Sequence, residues 1–397
     1  MNALIEKNAV SIMWFRRDLR LADNAALYYA LRSPHPVLPV FIFDKHILDD
    51  LEDKKDARVE FIHTAVSGLH QELLKWGSGL QIFHSAPATA FTSLLQCYDV
   101  KEIFVNRDYE PYATERDEMI RSLALATGIS FHSHKDQVIF DGNEVVKDNG
   151  EPYTVFTPYN RKWKNTATDF YFSSYPCKRY SHRFLQMEAA PVPALEQLGF
   201  RKTGRLFPSA TPDIELIRNY GRQRDMPALD ATSHLGIHLR FGTVSIRECV
   251  RTTIGESEVF LNELIWREFY QSILFKFPHV GKGQSFKKEY DRIPWRNDEA
   301  EFEKWCMGIT GYPIVDAGMR QLNATGFMHN RVRMITASFL AKHLLIDWRW
   351  GEAYFAQKTV GLRHGFQQRG LAMGGRQWLR CGALFQDIQS LAPGKKI

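Results

Sequence analysis

Short apolar runs alternate with helix-spaced segments along the first third of the chain. The runs "VSIMWF", "VLPVFIFD", "LQIFHS", "KEIFVN" and "ISFHSH" are the length of buried strands. Between them, "DNAALYYALR", "ARVEFIHTAVSGLHQELLKW", "PATAFTSLLQCY" and "YATERDEMIRSLALAT" place apolar residues three or four apart, as amphipathic helices do. The first of these opens on a capping residue, Asp23 or Asn24. Strands separated by helices predict a parallel sheet covered on both faces, a Rossmann-like α/β domain over residues 1–134.

From about Lys135 the pattern dissolves into Pro, Ser and aromatic residues, as in "SSYPCKRYSHRF" and "APVPALEQLGF". Residues 135–212 therefore read as a linker running over the surface between two domains. Helical spacing then dominates residues 213–358, through "PDIELIRNYGRQRD", "TVSIRECVRTTI", "VFLNELIWREFYQSILFKF", "AEFEKWCMG", "YPIVDAGMRQLNATG" and "HNRVRMITASFLAKHLLID". The second domain is predicted to be all-helical. No GxGxxG follows the first strand, and "HVGKGQS" lacks P-loop spacing, so neither nucleotide motif is present.

At 397 residues and 44% hydrophobic, the chain is long enough for two cores. Its start shows no secretory signal, and its longest apolar runs are too short or interrupted to cross a bilayer, which points to the cytoplasm. Five scattered cysteines without a CxxC pair fit reduced thiols. His132 and His134 share a strand face, but nothing nearby completes a ligand set, so no metal is expected. The net charge of +6 suggests nucleic acid until it is located. Residues 359–397 hold six basic residues against Asp387, or +5, leaving +1 for the rest. Any cationic groove must come from local residues.

In "NELIWREFYQ", Glu263, Trp266, Arg267 and Tyr270 fall at i, i+3, i+4 and i+7, along one helix face. They can line a polar aromatic pocket, though spacing alone favours a half-buried helix with a Glu263–Arg267 surface pair. Asn330, Arg333 and Met334 share another face, with Arg331 directed elsewhere, as an ordinary amphipathic helix start also would. Thr232 and Ser233 in "ATSHLGIHLRFGTVS" precede an apolar run, where hydroxyls and free N–H groups serve either a phosphate or simple capping.

These stretches resemble the photolyase and cryptochrome family, in the same order and with similar spacing. The resemblance begins at "WFRRDLRLADNAAL" and continues through "NYGRQRD", "TSHLGIHLRFGTVS", "NELIWREFY", "GYPIVDAGMRQLNATGFMHNRVRMITASFL" and "DWRWGEAYFAQK", covering Ser11 to Lys358. It implies an antenna-type α/β domain and a helical FAD-binding domain, here incomplete. The activity it implies is closest to that of class I cyclobutane pyrimidine dimer photolyases: an electron from light-excited reduced FAD splits the dimer and then returns. By resemblance, Tyr220, Thr232, Ser233, His234, Leu235 and Gly236 match FAD contacts, and Arg267 and Arg333 match flavin-site positions. Glu263, Trp266, Asn330 and Met334 match the residues that receive the damaged pyrimidines, and Arg224 a DNA-backbone contact. Trp266 would stack on a flipped base while Glu263 and Asn330 hydrogen-bond to base edges. Trp295 and Trp348 match the distal and middle members of an electron-transfer chain.

Phe260 and Phe327 stand where close relatives often have Trp. Tyr112 and Ala113 stand at folate-antenna positions, leaving a folate or deazaflavin antenna open. The partner implied is DNA containing pyrimidine dimers, bound by a monomer away from membranes. A cryptochrome-like blue-light photoreceptor and an inactive DNA-binding remnant are the alternatives. The (6-4) class is disfavoured because "HNRVRM" lacks its expected histidine pairing.

After Lys358 the resemblance stops. The family would continue "LLDYDMASNNVGWQW", with an Asp-x-Asp pair and an Asn beside the flavin and the proximal electron-transfer Trp; the chain instead reads "TVGLRHGFQQRGLAM". Codons can be written for the actual stretch that, with one base dropped, spell "LLDYDMASNNVGWQ". Residues 359–397 are therefore expected to be a frameshifted tail, and the activity of a chain carrying it is expected to be impaired.

Overall fold

The structure, a computed structural model, describes residues 7–280, 284–286 and 288–360. Five parallel strands, β1 (Ala9–Phe15), β2 (Val37–Asp44), β3 (Gln81–Ser85), β4 (Asp99–Asn106) and β5 (Ser130–His134), form one sheet in the order β3-β2-β1-β4-β5. β1 and β2 are buried along almost their whole length, which explains their unbroken apolar runs. The crossovers carry α1 (Ala25–Leu31), α2 (Lys45–Leu48), α3 (Ala57–Leu74), α4 (Pro87–Cys97) and α5 (Pro111–Ala126). Of the two expected caps for α1, Asn24 is the one: its side chain accepts from Leu27 N at 3.1 Å. One sheet face packs Met13, Phe15 and Phe41 with α1 and α3; the other packs Ile12, Trp14 and Val40 with α4 and α5.

The stretch after β5 is not a linker over the surface. It contains α6 (Phe156–Thr166) and α7 (Asp169–Phe172), and its residues enter both cores. Ile139, Phe140, Tyr159, Trp163 and Phe172 pack into the helical domain, whereas Cys177, Phe184, Leu195, Leu198 and Phe200 pack under the sheet. The α6 sequence, "FTPYNRKWKNT", has few apolar residues; Tyr159 and Trp163, four apart, are its buried face. Pro158 falls in the first turn, where helix geometry requires no donor N–H.

The second domain is helical, as expected: α8 (Ile214–Gln223), α9 (Gly236–Phe241), α10 (Ile246–Thr253), α11 (Glu258–Lys276), α12 (Glu299–Met307), α13 (Pro313–Thr325), α14 (Asn330–Ser338) and α15 (Trp348–Lys358). Asp213, Ser245, Ser257, Asp298 and Asp347 cap α8, α10, α11, α12 and α15 with side-chain oxygens. The long helix expected from His329 breaks after Ser338 into a π-helical turn, Phe339–His343. Two clusters fill the domain, one around α11 and one around Trp305, Met319, Leu340 and Phe355.

Buried ion pairs join the domains. Arg247 of α10 pairs with Asp23 at 2.8 Å and Asp136 at 2.7 Å, and Arg20 pairs with Asp136 at 2.7 Å. Desolvation alone would raise the Asp136 carboxyl, but Arg20 and Arg247 hold it down at about 2. Beside this junction, Gly242 has φ +68°, and a Cβ there would lie 2.2 Å from the Arg17 carbonyl oxygen. Only glycine allows that approach. The tail from residue 361, which carries most of the frameshift reading, lies outside the described residues.

Candidate functional site

The end of α8, the first half of α11 and the start of α14 meet through Arg224. Its guanidinium donates to Glu263 at 2.6 Å, and its carbonyl oxygen accepts from His329 Nε2 at 2.9 Å. His329 is the N-cap of α14, where its Nδ1 accepts from Arg331 N at 3.2 Å. Donation at Nε2 and acceptance at Nδ1 define a neutral imidazole, consistent with burial pushing its pKa down. One residue further, Asn330 donates to Met334 Sδ at 3.8 Å and accepts from Arg333 at 3.4 Å. Arg331 turns away to Asp225 at 2.7 Å, as its spacing predicted. Glu263, Asn330 and Met334 are thus joined across three helices, and Trp266 follows one turn after Glu263.

The four α11 residues read as one face divide in the structure. Glu263 and Trp266 remain half-buried at the site. Tyr270 is 4% exposed, and Arg267 turns inward, donating to the carbonyls of Gln137 at 2.7 Å and Leu239 at 3.0 Å. Desolvation pushes its guanidinium down to about 10. The Glu263 carboxylate pairs with Arg224 across helices, so the expected surface pair within α11 is replaced by a link that builds the site.

Behind α11, the Glu268 carboxylate accepts from Ile139 N at 2.6 Å, Phe140 N at 3.1 Å, Trp163 Nε1 at 2.7 Å and Tyr159 OH at 3.3 Å. Desolvation raises its pKa to about 7. The clamp fixes α6 against α11 and seats Phe156 on Trp266, ring centroids 3.6 Å apart and 8° from parallel. Sequence reading missed Phe156, His329 and Glu268. Only the Tyr159 and Trp163 spacing signalled that α6 packs inward.

Tyr220 of α8 meets Phe260 edge-on at 5.0 Å, so the aromatic contact survives where relatives often have Trp. Along the loop to α9, Thr232 lies 3.4 Å from His234, whose ring bonds Asp230 at 2.8 Å and packs on Phe327 at 4.3 Å. His234 has φ +50°, and Ser233 Oγ accepts from Leu235 N at 3.4 Å. Leu235 caps α9 without a side-chain bond. At Gly236 an added Cβ would meet nothing within 4 Å, so space opens beside the first turn. Arg333 is buried at 5% exposure.

Trp295 lies in the segment before α12, its buried indole N–H without an acceptor among the described residues. Trp348 opens α15 under the Arg349 guanidinium, 4.8 Å from its ring. In the α/β domain, Tyr112 donates to Asp44 at 2.5 Å, and Ala113 is buried. His132 bonds Glu102 at 3.2 Å, and no group of three metal-ligating residues occurs among the described residues. No helix among them is long and apolar enough to cross a membrane.

The site thus joins a Rossmann-like sheet domain to a helical domain carrying an acidic, aromatic and amide wall and a loop rich in hydroxyl and N–H donors. The family model for DNA photolyase matches residues 11–179, and that for the FAD-binding domain of DNA photolyase matches residues 260–382. The deoxyribodipyrimidine photo-lyase of Vibrio cholerae is 34% identical over 381 residues, spanning 88% of this chain and 79% of that protein. That of Synechococcus is 34% identical over 377 residues, spanning 88% and 77%. A class III photolyase from Agrobacterium tumefaciens superposes with TM-score 0.78 at 30% identity, covering 97% of this chain and 80% of that one. A Sulfolobus tokodaii photolyase described with two FAD molecules gives 0.77 at 33% identity, covering 94% and 83%. The chain belongs to the photolyase and cryptochrome family. The FAD-domain match reaches residue 382, beyond the Lys358 boundary expected for the tail.

Proposed function

We propose that this fold repairs cyclobutane pyrimidine dimers in DNA by light-driven electron transfer, acting as a cytoplasmic monomer. The observation that carries the reading is the Arg224 bridge, which ties Glu263 to the start of α14, where Asn330 and Met334 lie, with Trp266 one turn on from Glu263. Each has a role there: the indole offers a π-face, Glu263 and Asn330 bond base edges, and the Met334 thioether supplies a polarizable apolar contact. Arg224 adds positive charge at the rim for a phosphate.

The donor set fits FAD. Thr232 and Ser233 hydroxyls, the uncapped first turn of α9 and the open space at Gly236 suit a diphosphate, and Tyr220 offers an aromatic wall. Buried Arg333 and half-buried Arg267 would offer positive charge to an electron-rich flavin ring. FAD held by these residues would supply the light-driven electron transfer that splits the dimer. The chain's part is to orient the dimer, exclude water and hold the field constant, with no nucleophile or base required. Trp295 and Trp348 serve as relay residues toward the flavin. The antenna chromophore, folate or deazaflavin, is left open by Tyr112 and Ala113, and the class I assignment rests on the sequence motifs alone.

The tail decides how well a given chain retains flavin. The reading holds that the frame changes at or just after the Lys358 codon, and that a protein carrying "TVGLRHGFQQRGLAM" purifies with little FAD and repairs few dimers. Sequencing that stretch tests the frame: bases that cannot spell the family motif in another frame reject it. Illuminating the purified protein with a dimer-containing oligonucleotide tests the activity. Stoichiometric flavin and full repair by the tailed chain would reject its predicted impairment, whereas flavin-loaded protein that leaves dimers intact would reject the repair reading. Salt-dependent binding of damaged DNA without flavin would favour the remnant reading, for which the tail sequence is the observation.

A further inference from the structure

At 3.6 Å and 8°, the Phe156 ring lies flat against one face of the Trp266 indole. Tyr270, one turn on in α11, lies close to parallel with the indole at 5.3 Å and 22°. Tyr270 is buried in α11 at 4% exposure, whereas Phe156 is half-buried. A base stacking on that face of Trp266 must therefore take the place that Phe156 holds.

We infer that Phe156 is a gating residue: its ring holds the place a flipped base would take on Trp266 and moves out when a dimer enters. This rests on the reading of Trp266 as the stacking platform. The construction of α6 suits such a motion. From Tyr159 onward the helix is anchored, by Tyr159 and Trp163 to Glu268, by Asn160 to Asn262 at 3.0 Å and by Lys164 to Glu258 at 2.7 Å. Its first turn is not. The N-cap, Val155, is 60% exposed and has no side-chain bond to offer the leading N–H groups. Rotating Phe156 outward, or fraying that turn, leaves every anchor in place. Apart from the Trp266 stack, the ring meets the edge of buried Phe269 at 5.9 Å and 69°.

The exchange replaces one stack on Trp266 by another, so an entering base recovers what the gate gives up. Because undamaged DNA places no base on Trp266, the closed gate opposes the dimer alone and lowers the preference for damaged DNA.

The test is dark equilibrium binding of the full chain to a duplex with a single cyclobutane thymine dimer and to the same duplex undamaged. Phe156→Ala is expected to bind the dimer duplex roughly 2- to 10-fold more tightly, the range of one aromatic stack, with binding to the undamaged duplex unchanged. Val155→Asn supplies the missing cap, holds Phe156 shut and is expected to weaken binding by about 5-fold. Equal or weaker binding by Phe156→Ala overturns the gate. Should that variant fail to fold, unchanged affinity in Val155→Asn overturns it instead. A wild-type chain with no preference for the dimer overturns the Trp266 reading, and the gate with it.

Discussion

Arg247 is the cation on which the junction of the two domains depends, and Arg247→Met is its sharpest test. The side chain is 4% exposed and engages Asp23 and Asp136, themselves 6% and 2% exposed. Methionine keeps the volume but leaves two buried carboxylates with one cation fewer, a change that costs about 3–5 kcal/mol. The pH dependence follows from Asp136. Its folded pKa of about 2 lies below the ordinary 3.8, so its contribution is fully present above pH 3.8 and is lost as pH falls through 2. At neutral pH that contribution is on the order of 2–3 kcal/mol, shared between Arg20 and Arg247. In the variant, Asp136 takes up a proton more readily, which relieves the uncompensated charge. Urea unfolding should therefore show a loss of about 3–5 kcal/mol at pH 7 that shrinks toward pH 3. A variant within about 1 kcal/mol of wild type at pH 7, or a gap that persists on acidification, would refute the reasoning.

Three further outcomes are expected. Glu352 is 4% exposed, its Oε1 has no hydrogen-bond partner among the described residues, and desolvation raises its pKa to about 8. A raised carboxyl favours the folded state at low pH and loses that advantage as pH rises from 4.5 through 8. Glu352→Gln should therefore gain up to about 4 kcal/mol over wild type at pH 8 and little at pH 4, read by denaturant titration; equal curves would count against it. Gly242→Ala should lower stability by at least ~2 kcal/mol through its left-handed φ and the approach to Arg17, and a melting temperature unchanged from wild type would show that the junction yields. Arg224→Ala should weaken binding to damaged and undamaged duplexes together and lower the salt slope by about one; a loss confined to damaged DNA would mean that the residue acts through Glu263 instead.

The sheet was legible because β1 and β2, buried on both faces, carry continuous apolar runs that few other arrangements produce. Helices with a full apolar stripe, such as α3 and α5, were equally readable. α6 was not: its inward face is two aromatics on an otherwise polar segment with a proline in the first turn, so local periodicity gives little signal. The site was half legible. Spacing placed Glu263 with Trp266 and Asn330 with Met334, but the contacts that join the two pairs run from Arg224 to residues 39 and 105 positions away. Spacing also could not show that Arg267 faces inward, because the carbonyls it meets belong to Gln137 and Leu239, on other segments. The same limit hid Glu268, whose four donors come from before and within α6.

The central claim is that the wall containing Trp266 receives a pyrimidine dimer. Its most direct test is dark affinity for a dimer-containing duplex against the undamaged one, in the wild-type chain and in Trp266→Ala. A stacked base contributes about 1–3 kcal/mol, so the wild type should prefer the dimer and the variant should lose that preference by roughly 10-fold or more, with binding to undamaged DNA unchanged. A wild type indifferent to the dimer, or a Trp266→Ala chain that keeps the full preference, would contradict the account.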